Sequence, residues 1–341
     1  MVKIAVLGAG CMGLGAAVKI KESFPDAEVV ILSKEFSPDT TGDGSGGLWC
    51  PYLCGSTPVQ KLSAWGGETY KLYHKLWLEG GCNICLLPFY SLRHNISKDP
   101  NFQETPLWAK DVFGFNLLGP KQLKYFNDLY SSDYVQGYTF TSFIVPPPII
   151  LPFLTKRFLN AGGRLVRAAV TSLDDAMLAP YDVIVNCTGL NARTVVPDDK
   201  VFPIRGQILK VQAPWLHHAI IDEDGDHYIL PNYKSTVMGG THQEHNYSTK
   251  VNDEDTAFIQ NGCYKIIPAL KNAKILDNWA GLRPGRDTVR LEAEHRNGKL
   301  YIHNYGHGGS GLTLFWGCAT DVVKILEQNL KNAKTTVISK L

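Results

Sequence analysis

Long apolar runs are missing from this sequence of 341 residues. No stretch approaches the roughly 18 consecutive apolar residues of a membrane-spanning helix, so we predict no membrane segment and no membrane partner. The first apolar run is short and leads directly into glycines, which is not the pattern of a secretory signal peptide. We therefore expect a protein without a membrane anchor or a secretory leader.

A large excess of charge of either sign is also missing. The formal net charge is +2, from 34 Lys and Arg against 32 Asp and Glu. This balance, without a basic patch or a low-complexity tract, argues against nucleic acid as a partner and against disorder. The length suits two domains, or one large α/β domain with an insertion.

Paired cysteine motifs are scarce as well. The eight cysteines are scattered, and only Cys82 and Cys85 have C-x-x-C spacing. A zinc site would need a second such pair, and the sequence has none. We expect reduced core thiols and no metal site.

A glycine motif follows the first apolar stretch. Lys3–Leu7 predicts a buried strand, Gly8, Gly10 and Gly13 form the pattern G-x-G-x-x-G, and a small-residue helix follows from about Leu14. In that order these features predict a dinucleotide site: one glycine turns the chain, one admits a pyrophosphate, and one lets helix and strand pack. The phosphates would lie at the N-terminus of the helix.

The next strand, residues 27–32, ends beside two residues that could bind the adenosine ribose. Glu35 provides the expected acid, one position late, whereas Lys34 could bind a 2′-phosphate. The second interpretation keeps an NADP-dependent reductase open.

Two further glycine-rich segments indicate close approach of the backbone to a ligand. Residues 40–47 contain Thr40, Thr41, Gly46 and Gly47 and run into an apolar segment beginning at Leu48. Residues 303–313 predict a second glycine-lined helix start, with its helix beginning near Leu312. One helix N-terminus can bind a pyrophosphate and the other the anionic end of a reduced flavin, which suits an extended cofactor such as FAD.

The remaining segments are assigned more coarsely. Residues 56–145 lack the regular alternation of strands and helices that is typical of a parallel sheet, and we interpret them as an inserted domain. The predicted helices are 63–78 and 150–160, and the predicted strands are 113–118, 138–145, 164–170, 181–189, 202–211, 228–230 and 235–239.

Several segments together resemble the D-amino-acid oxidase family, which includes D-aspartate oxidase. They are residues 279–290 and 303–313, with Thr40, Thr41, Gly47-Leu48-Trp49, Asn186-Cys187-Thr188-Gly189 and Arg205-Gly206-Gln207. The resemblance covers nearly the whole chain. It implies hydride transfer from the α-carbon of a D-amino acid to flavin N5, followed by release of a 2-oxo acid and ammonia. Oxygen then reoxidises the flavin and yields hydrogen peroxide.

The resemblance also implies the architecture. We expect an α/β protein with a Rossmann-like FAD-binding domain and a mostly antiparallel β-sheet substrate domain. The FAD domain would comprise residues 1–57, 147–200 and 284–341, and the substrate domain residues 58–146 and 201–283.

The site residues follow by matching positions. Arg283 matches the carboxylate-binding arginine, whose planar fork suits a carboxylate better than lysine would. No side chain is assigned as a catalytic acid or base, and His307 is interpreted as structural. The substrate residues are Tyr228, Arg283, Gly309, Tyr52, Cys50 and Ile221. The cofactor residues are Gly8, Ala9, Gly10, Cys11, Met12, Gly13, Lys34, Glu35, Thr40, Thr41, Gly46, Gly47, Leu48, Val170, Thr188, Gly189, Arg283, Gly308, Gly311, Leu312 and Thr313.

Departures from the family pattern bear on the substrate. The segment matching the active-site lid, residues 221–226, is short and acidic and lacks the extra tyrosine of the D-amino-acid oxidase branch. Ile221 and His242 stand where the D-aspartate branch has arginines. Because an unpartnered second carboxylate is costly to bury, we favour neutral D-amino acids and leave basic ones open. D-aspartate is the alternative, through a protonated His242.

The tripeptide Ser339-Lys340-Leu341 has the form of a peroxisomal address. We therefore expect the peroxisomal matrix and its import receptor, which suits an enzyme that makes peroxide. A homodimer is expected from the resemblance alone. A catalytically silent flavin-binding protein is a third hypothesis, opposed by the presence of Arg283 and Tyr228.

Overall fold

The structure is a computed structural model that describes residues 1–98 and 100–338, apart from the side chains of residues 100, 101 and 333–338. The tripeptide at 339–341 lies outside the described residues. The strands are β1 Lys3–Leu7, β2 Glu28–Ser33, β3 Cys85–Arg93, β4 Phe113–Leu117, β5 Gln136–Ile144, β6 Arg164–Arg167, β7 Val183–Asn186, β8 Phe202–Gln212, β9 Ala219–Asp222, β10 His227–Pro231, β11 Thr236–Gly239, β12 Gln243–Glu244, β13 Lys274–Gly285, β14 Arg290–Arg296 and β15 Lys299–Tyr305. The helices are α1 Cys11–Ser23, α2 Val59–Glu79, α3 Pro100–Gln103, α4 Pro120–Tyr130, α5 Pro147–Asn160, α6 Ala192–Val195, α7 Asp253–Ile266 and α8 Gly311–Ile338.

The first sheet is covered on both faces. Its strand order in the described chain is β14-β15-β7-β1-β2-β6, parallel except for the β14–β15 pair. In β1, Ile4 and Val6 face the core that contains α1, α5 and α8, while Ala5 and Leu7 face a second core on the opposite side. A strand buried on both faces is apolar at every position, which is why β1 and β2 were recognisable in the sequence.

Helices α1 and α8 pack side by side against the first sheet, and α1 is rich in small residues. A Cβ on Gly15 would lie 2.6 Å from Cδ2 of Phe315, so α8 approaches the backbone of α1 closely. The glycine-rich start of α1 therefore serves packing as well as the turn.

The second sheet is mostly antiparallel. Its order is β12-β8-β11-β10-β9-β3-β5-β4, with β13 also paired to β8 and with β3–β9 as the parallel pair within the described chain. The β8–β13 pair is long and runs from Lys274 opposite Gln212 to Gly285 opposite Phe202. The predicted fold class, an α/β Rossmann-like domain with a mostly antiparallel second sheet, is confirmed.

The predicted domain boundaries stay a prediction. Strands of the first sheet come from residues 1–57, 147–200 and 284–341, and those of the second sheet from 58–146 and 201–285. Strand β13 continues two residues past the predicted boundary at Arg283 and so leads directly from one sheet towards the other.

Several element boundaries differ from the predictions. Helix α1 begins at Cys11, three residues before Leu14, because its glycines resemble a loop in sequence. Strand β6 ends at Arg167 and leaves Val170 outside it. The segment expected as a lid is the end of β9 and a turn at residues 223–226 that leads into β10.

The described residues contain no helix long and apolar enough to cross a bilayer. The eight thiols all lie in the described ranges and are free. Seven of them are buried, and Cys85 is partly exposed.

Candidate active site

The first glycine motif lies where β1 and β7 end and α1 begins. Gly8 has φ +100°, and a Cβ there would lie 2.6 Å from the Cys187 carbonyl oxygen. A Cβ on Gly13 would lie 1.9 Å from the Gly8 carbonyl oxygen, so helix and strand are in backbone contact. A Cβ on Gly10 would meet no atom within 4 Å. Gly8 and Gly13 are thus required by packing, whereas Gly10 faces open space at the helix start, as a pyrophosphate site needs.

The second glycine-lined helix start lies directly beside the first. A Cβ on Gly311 would lie 3.2 Å from Sγ of Cys11, the first residue of α1. The Thr313 hydroxyl donates to the Cys50 carbonyl at 2.9 Å and accepts from the Cys50 N–H at 3.2 Å. The structure therefore brings the two helix N-termini and the segment after the glycine loop together. Both helix termini direct unpaired N–H groups and positive partial charge to one region.

The glycine loop is held by a carboxylate that the sequence analysis did not single out. Asp43 accepts from Thr40 N at 3.0 Å, from the Thr40 hydroxyl at 2.7 Å and from the Ser37 hydroxyl at 2.5 Å. Gly47 has φ +77°, and a Cβ there would lie 2.1 Å from the Val145 carbonyl oxygen. The capping box between Thr40 and Asp43 was the available sequence signal.

Contacts place this loop near α1. Burial is the main cause that raises the pKa of the Cys11 thiol to about 12, and the negative charge of Asp43 adds to the increase. The Ser45 hydroxyl is buried without a hydrogen-bond partner within the described residues.

The predicted adenosine contacts lie at the exposed end of β2. Lys34 and Glu35 are 73% and 53% exposed, with Nζ and Oε1 3.5 Å apart. The Ser33 hydroxyl joins them to the glycine motif, accepting from Ala9 N at 3.2 Å and donating to the Glu35 carbonyl at 2.6 Å. Val170 lies beyond β6 and packs on the face of the sheet opposite α1.

Thr188 and Gly189 follow β7 at the same sheet edge. The Asn186 side-chain oxygen accepts from Thr188 N at 3.2 Å and from the Thr188 hydroxyl at 2.7 Å. A Cβ on Gly8 would lie 3.6 Å from the Thr188 Cα, so this turn borders the glycine motif. Asn186 thereby fixes the turn that faces the predicted cofactor site.

The residues present fit an extended flavin nucleotide. Gly10 leaves open space at one helix start, Ser45 offers a buried hydroxyl without a partner, and the start of α8 adds N–H groups beside them. When FAD binds, residues 8–13, Lys34, Glu35, 40–48, Val170, Thr188, Gly189 and 308–313 are the candidates to hold it.

Arg283 and Tyr228 face each other on the second sheet. The guanidinium lies next to the Tyr228 hydroxyl, and its Nη1 donates to the Thr241 carbonyl at 3.0 Å. A Cβ on Gly206 would lie 2.3 Å from Arg283 Nη1, and one on Gly239 would lie 2.1 Å from the Tyr228 Cζ. The glycines make room for both side chains. Burial raises the pKa of Tyr228 despite the opposing charge of Arg283, so its phenol stays protonated.

Tyr52 and Gly309 join this pair to the helix starts. A Cβ on Gly309 would lie 2.5 Å from the Tyr52 Cδ1, and Tyr52 N donates to the Ser310 hydroxyl at 2.6 Å. Burial raises the pKa of Tyr52, and the Arg283 charge lowers it in part. Gly308 N donates to the Pro284 carbonyl at 2.9 Å, which fixes the segment before α8 next to Arg283.

Two predicted substrate residues lie on the same side of the second sheet as Tyr228. Ile221 lies opposite Tyr228 in the β9–β10 pair. Burial is the main cause that raises the pKa of the Cys50 thiol, and Tyr138 lies close enough to lower it in part. The structure adds Glu223, whose charge also acts on Cys50 and Tyr52.

His307 lies away from this cluster of side chains. It is 2% exposed, its Nε2 is 3.5 Å from the Cys318 Sγ, and burial lowers its pKa to about 3. Its imidazole is therefore neutral at physiological pH and serves packing against α8. No group of His, Cys, Asp and Glu that could hold a metal ion occurs among the described residues.

Comparisons with known proteins point to one family. The sequence profile of the family described as FAD dependent oxidoreductase matches residues 3–325. A D-amino acid oxidase of Dugesia ryukyuensis is 36% identical over 97% of this chain and 99% of its own length. The D-aspartate oxidase of Homo sapiens is 33% identical over 98% of this chain and 97% of its own.

Solved structures agree on the fold. The crystal structure of glycine oxidase from Geobacillus kaustophilus superposes with a TM-score of 0.79, at 16% identity and over 96% of this chain and 95% of that one. The similarity to these proteins spans both sheets and the connections between them. The chain therefore belongs to the FAD-dependent oxidoreductase family.

Proposed function

We propose that this FAD-dependent enzyme oxidises D-amino acids with neutral or basic side chains, in preference to acidic ones, to 2-oxo acids with release of ammonia and hydrogen peroxide. The observation that carries the proposal is the placement of Arg283. Its guanidinium faces Tyr228 and Tyr52, and its strand is joined through Pro284 to the segment that begins α8. A carboxylate bound there would lie between the second sheet and the two helix starts.

The protein residues bind and orient the substrate. Arg283 offers a charged fork for the α-carboxylate, and the protonated phenol of Tyr228 donates to the same group. The Gly309 carbonyl, beside Tyr52, is the acceptor for the substrate amine. FAD, when bound, supplies the hydride acceptor and the route of electrons to oxygen.

Acid–base catalysis by a side chain is not required. Burial keeps Tyr52 and Tyr228 protonated, and His307 is neutral and faces α8. A substrate amine that enters neutral has no proton to lose before hydride transfer. The rate then depends on how well the Cα–H is positioned.

The side-chain end of the site supports neutral substrates over acidic ones. Ile221 offers no charge, and His242 Nδ1 lies 3.7 Å from Asp226 Oδ1, so a protonated His242 has a carboxylate beside it. D-aspartate remains the alternative, supported by the similarity to the human D-aspartate oxidase.

A peroxide assay on the purified holoenzyme tests the proposal. We expect a yellow protein that yields peroxide with D-alanine and D-methionine, little with D-aspartate and none with L-alanine. Equal rates with D- and L-alanine would contradict the assigned reaction. A higher kcat/KM for D-aspartate than for D-alanine at neutral pH would instead favour the alternative.

We also propose the peroxisomal matrix as the location, supported by the tripeptide Ser339-Lys340-Leu341 and by the peroxide product. A fluorescent protein fused ahead of the chain should colocalise with a peroxisomal marker, and deleting the tripeptide should release it to the cytosol. Unchanged localisation after the deletion would contradict the assignment. The homodimer expected from the resemblance is tested by light scattering of the holoenzyme.

A further inference from the structure

The acidic segment at residues 221–226 comprises the end of β9 and the turn at 223–226. One of its carboxylates, Glu223, faces a different way from the others. We propose that Glu223 is a specificity residue that selects D-amino acids with a cationic side chain, D-arginine and D-lysine. This inference rests on the proposed function and assigns the side-chain end of the same site.

Strand register places Glu223 on the substrate side of the sheet. Ile221 lies opposite Tyr228 in β10 and opposite Ser91 in β3. The N–H of Glu223 donates to the Leu92 carbonyl at 3.0 Å, which continues the β3–β9 pairing one residue past the end of β9. Its side chain therefore lies on the same side as Ile221 and Tyr228. The Ser91 hydroxyl donates to Glu223 Oε1 at 2.5 Å, which fixes the carboxylate over β3.

The neighbours of Glu223 are the residues of the candidate site. Ser91 lies opposite Tyr138 in the β3–β5 pair, and Tyr138 lies next to Cys50. The negative charge of Glu223 helps raise the pKa of Tyr52 and of Tyr138, although burial is the larger cause for both. These groups lie on three different segments, so their common neighbour is a carboxylate inside the site.

The other acids of the turn face elsewhere. Asp222 Oδ2 lies 3.4 Å from the His94 ring and Asp224 Oδ1 2.5 Å from Arg93 Nη2, next to the pocket lined by His227 and Lys265. Asp226 is 48% exposed. Burial is the main cause that raises the pKa of Tyr52, the charge of Glu223 adds to it, and the charge of Asp226 adds less. Glu223 is therefore the acid of this turn with the larger effect at the substrate side of the sheet.

A site with Arg283 at one end and Glu223 at the other has the charge pattern of a basic amino acid. The substrate α-carboxylate would bind Arg283, and a guanidinium or ammonium on its side chain would bind Glu223. A planar guanidinium can bind a carboxylate through two hydrogen bonds. A carboxylate at the end of the side chain would be repelled at the same place.

Paired substrates that differ only in charge test the proposal. D-arginine and D-citrulline have the same shape, as nearly do D-lysine and D-norleucine. We expect kcat/KM to favour the charged member of each pair by about tenfold or more in the wild-type holoenzyme, because the new hydrogen bonds are charge-assisted. Glu223→Gln should bring the D-arginine to D-citrulline ratio to within about threefold of one.

The matched control is Glu79→Gln, which removes the same charge at the end of α2, where Glu79 is 55% exposed and pairs with Lys75. It should leave the D-arginine to D-citrulline ratio within about threefold of the wild-type value. Flavin absorbance and thermal unfolding identify a variant that has not folded. In that case the wild-type pairs, which need no variant, still decide.

Two outcomes would overturn the role of Glu223: wild-type ratios near one, or the same ratio in Glu223→Gln as in the wild type. In both cases oxidation of neutral D-amino acids would leave the proposed function intact. Failure of the proposed function has a different signature, the absence of peroxide with every D-amino acid.

Discussion

At the scale of single residues, Arg283 shows how neighbours without side chains set a functional position. Gly206 lies on the adjacent strand, where any Cβ would collide with the guanidinium, and the Thr241 carbonyl accepts from Nη1. One N–H is thus used to orient the group, which leaves other donors of the fork for a carboxylate. The ammonium group of a lysine, which is a point charge on a flexible stem, could not be oriented in this way.

Arg283→Lys tests the fork rather than the charge. Loss of one charge-assisted hydrogen bond costs about 1.5–3 kcal/mol, so we expect kcat/KM for D-alanine to fall by roughly 10- to 100-fold, mainly through KM. Steady-state oxygen consumption measures this change in kcat/KM. Arg164→Lys is the matched control, since that guanidinium is 63% exposed and pairs with Glu28. Unchanged kcat/KM in Arg283→Lys would mean that the carboxylate binds elsewhere.

His307 should make stability depend on pH. In the unfolded chain its pKa is near 6.5, and in the folded protein burial lowers it to about 3. Between these values the unfolded state binds more protons, so the free energy of unfolding falls as the pH drops below 6.5. From pH 6.5 to 5 this amounts to about 2 kcal/mol.

Urea unfolding at pH 7 and pH 5 checks this linkage. The wild type should lose about 2 kcal/mol more between the two pH values than His307→Asn does. His217→Asn changes an exposed histidine and should behave like the wild type. Equal losses of unfolding free energy in all three proteins would show that the buried imidazole is not the cause of the pH dependence.

Site residues that match a position in the family motifs were predictable from the sequence. Site residues without such a match were not. Arg283, Tyr228 and Gly309 were assigned by motif, and the structure brings them together. Glu223 was counted as one of several lid acids, because its direction depends on the parallel register of β3 and β9. Pairing between strands so far apart in the chain is not encoded in local periodicity.

At the scale of elements, helices α1 and α8, which both follow a glycine-rich segment, lie side by side. Gly15 lets Phe315 approach, and Gly311 meets Cys11. The sequence assigns one helix start to the pyrophosphate and the other to the anionic end of the flavin. Because the two starts are adjacent, both dipoles act on one region, which suits the pyrophosphate and the neighbouring flavin edge.

Gly10 and Gly13 should respond differently to alanine. A Cβ on Gly10 meets nothing within 4 Å, so Gly10→Ala should change apoprotein stability by about 1 kcal/mol or less while weakening FAD binding by about tenfold or more. A Cβ on Gly13 would overlap the Gly8 carbonyl, so Gly13→Ala should destabilise the apoprotein itself by about 3 kcal/mol.

Urea unfolding of the apoproteins and flavin fluorescence titrations separate the two effects. The variants serve as controls for each other, because they add the same methyl group to the same motif. A loss of stability in Gly10→Ala as large as in Gly13→Ala would contradict the open space assigned beside Gly10.

Elements with a strong apolar core were predicted best. Strand β1 matched its predicted bounds, and β2 and β8 were shifted or extended by one residue. Strands β3, β9, β12, β13, β14 and β15 were missed. Strand β3 contains a proline, and β14 alternates charged residues at a sheet edge. Such strands depend on partners that the local sequence does not reveal.

At the scale of the whole molecule, the candidate cofactor site is assembled from segments far apart in the chain. Residues 8–13, 40–48, 188–189 and 308–313 meet only after folding. Ligand binding to such a site stabilises the folded state without stabilising the unfolded chain.

Free FAD should therefore raise the stability of the apoprotein. At about 100 times its Kd we expect an increase in the free energy of unfolding of about 2.7 kcal/mol, measured by urea unfolding. NADP at the same concentration is the control and should have no effect. Stabilisation by NADP alone would revive the reductase interpretation based on Lys34.

Strand β13 has a mechanical consequence for the whole enzyme. It carries Arg283, ends at Gly285, and is tied to the other sheet by the Pro284–Gly308 hydrogen bond. A hinge that swung the two sheets apart would break that tie and displace the carboxylate anchor in the same motion. Admission of substrate should therefore proceed by a small local opening, such as the turn at 223–226, with the body of the enzyme staying rigid through each turnover.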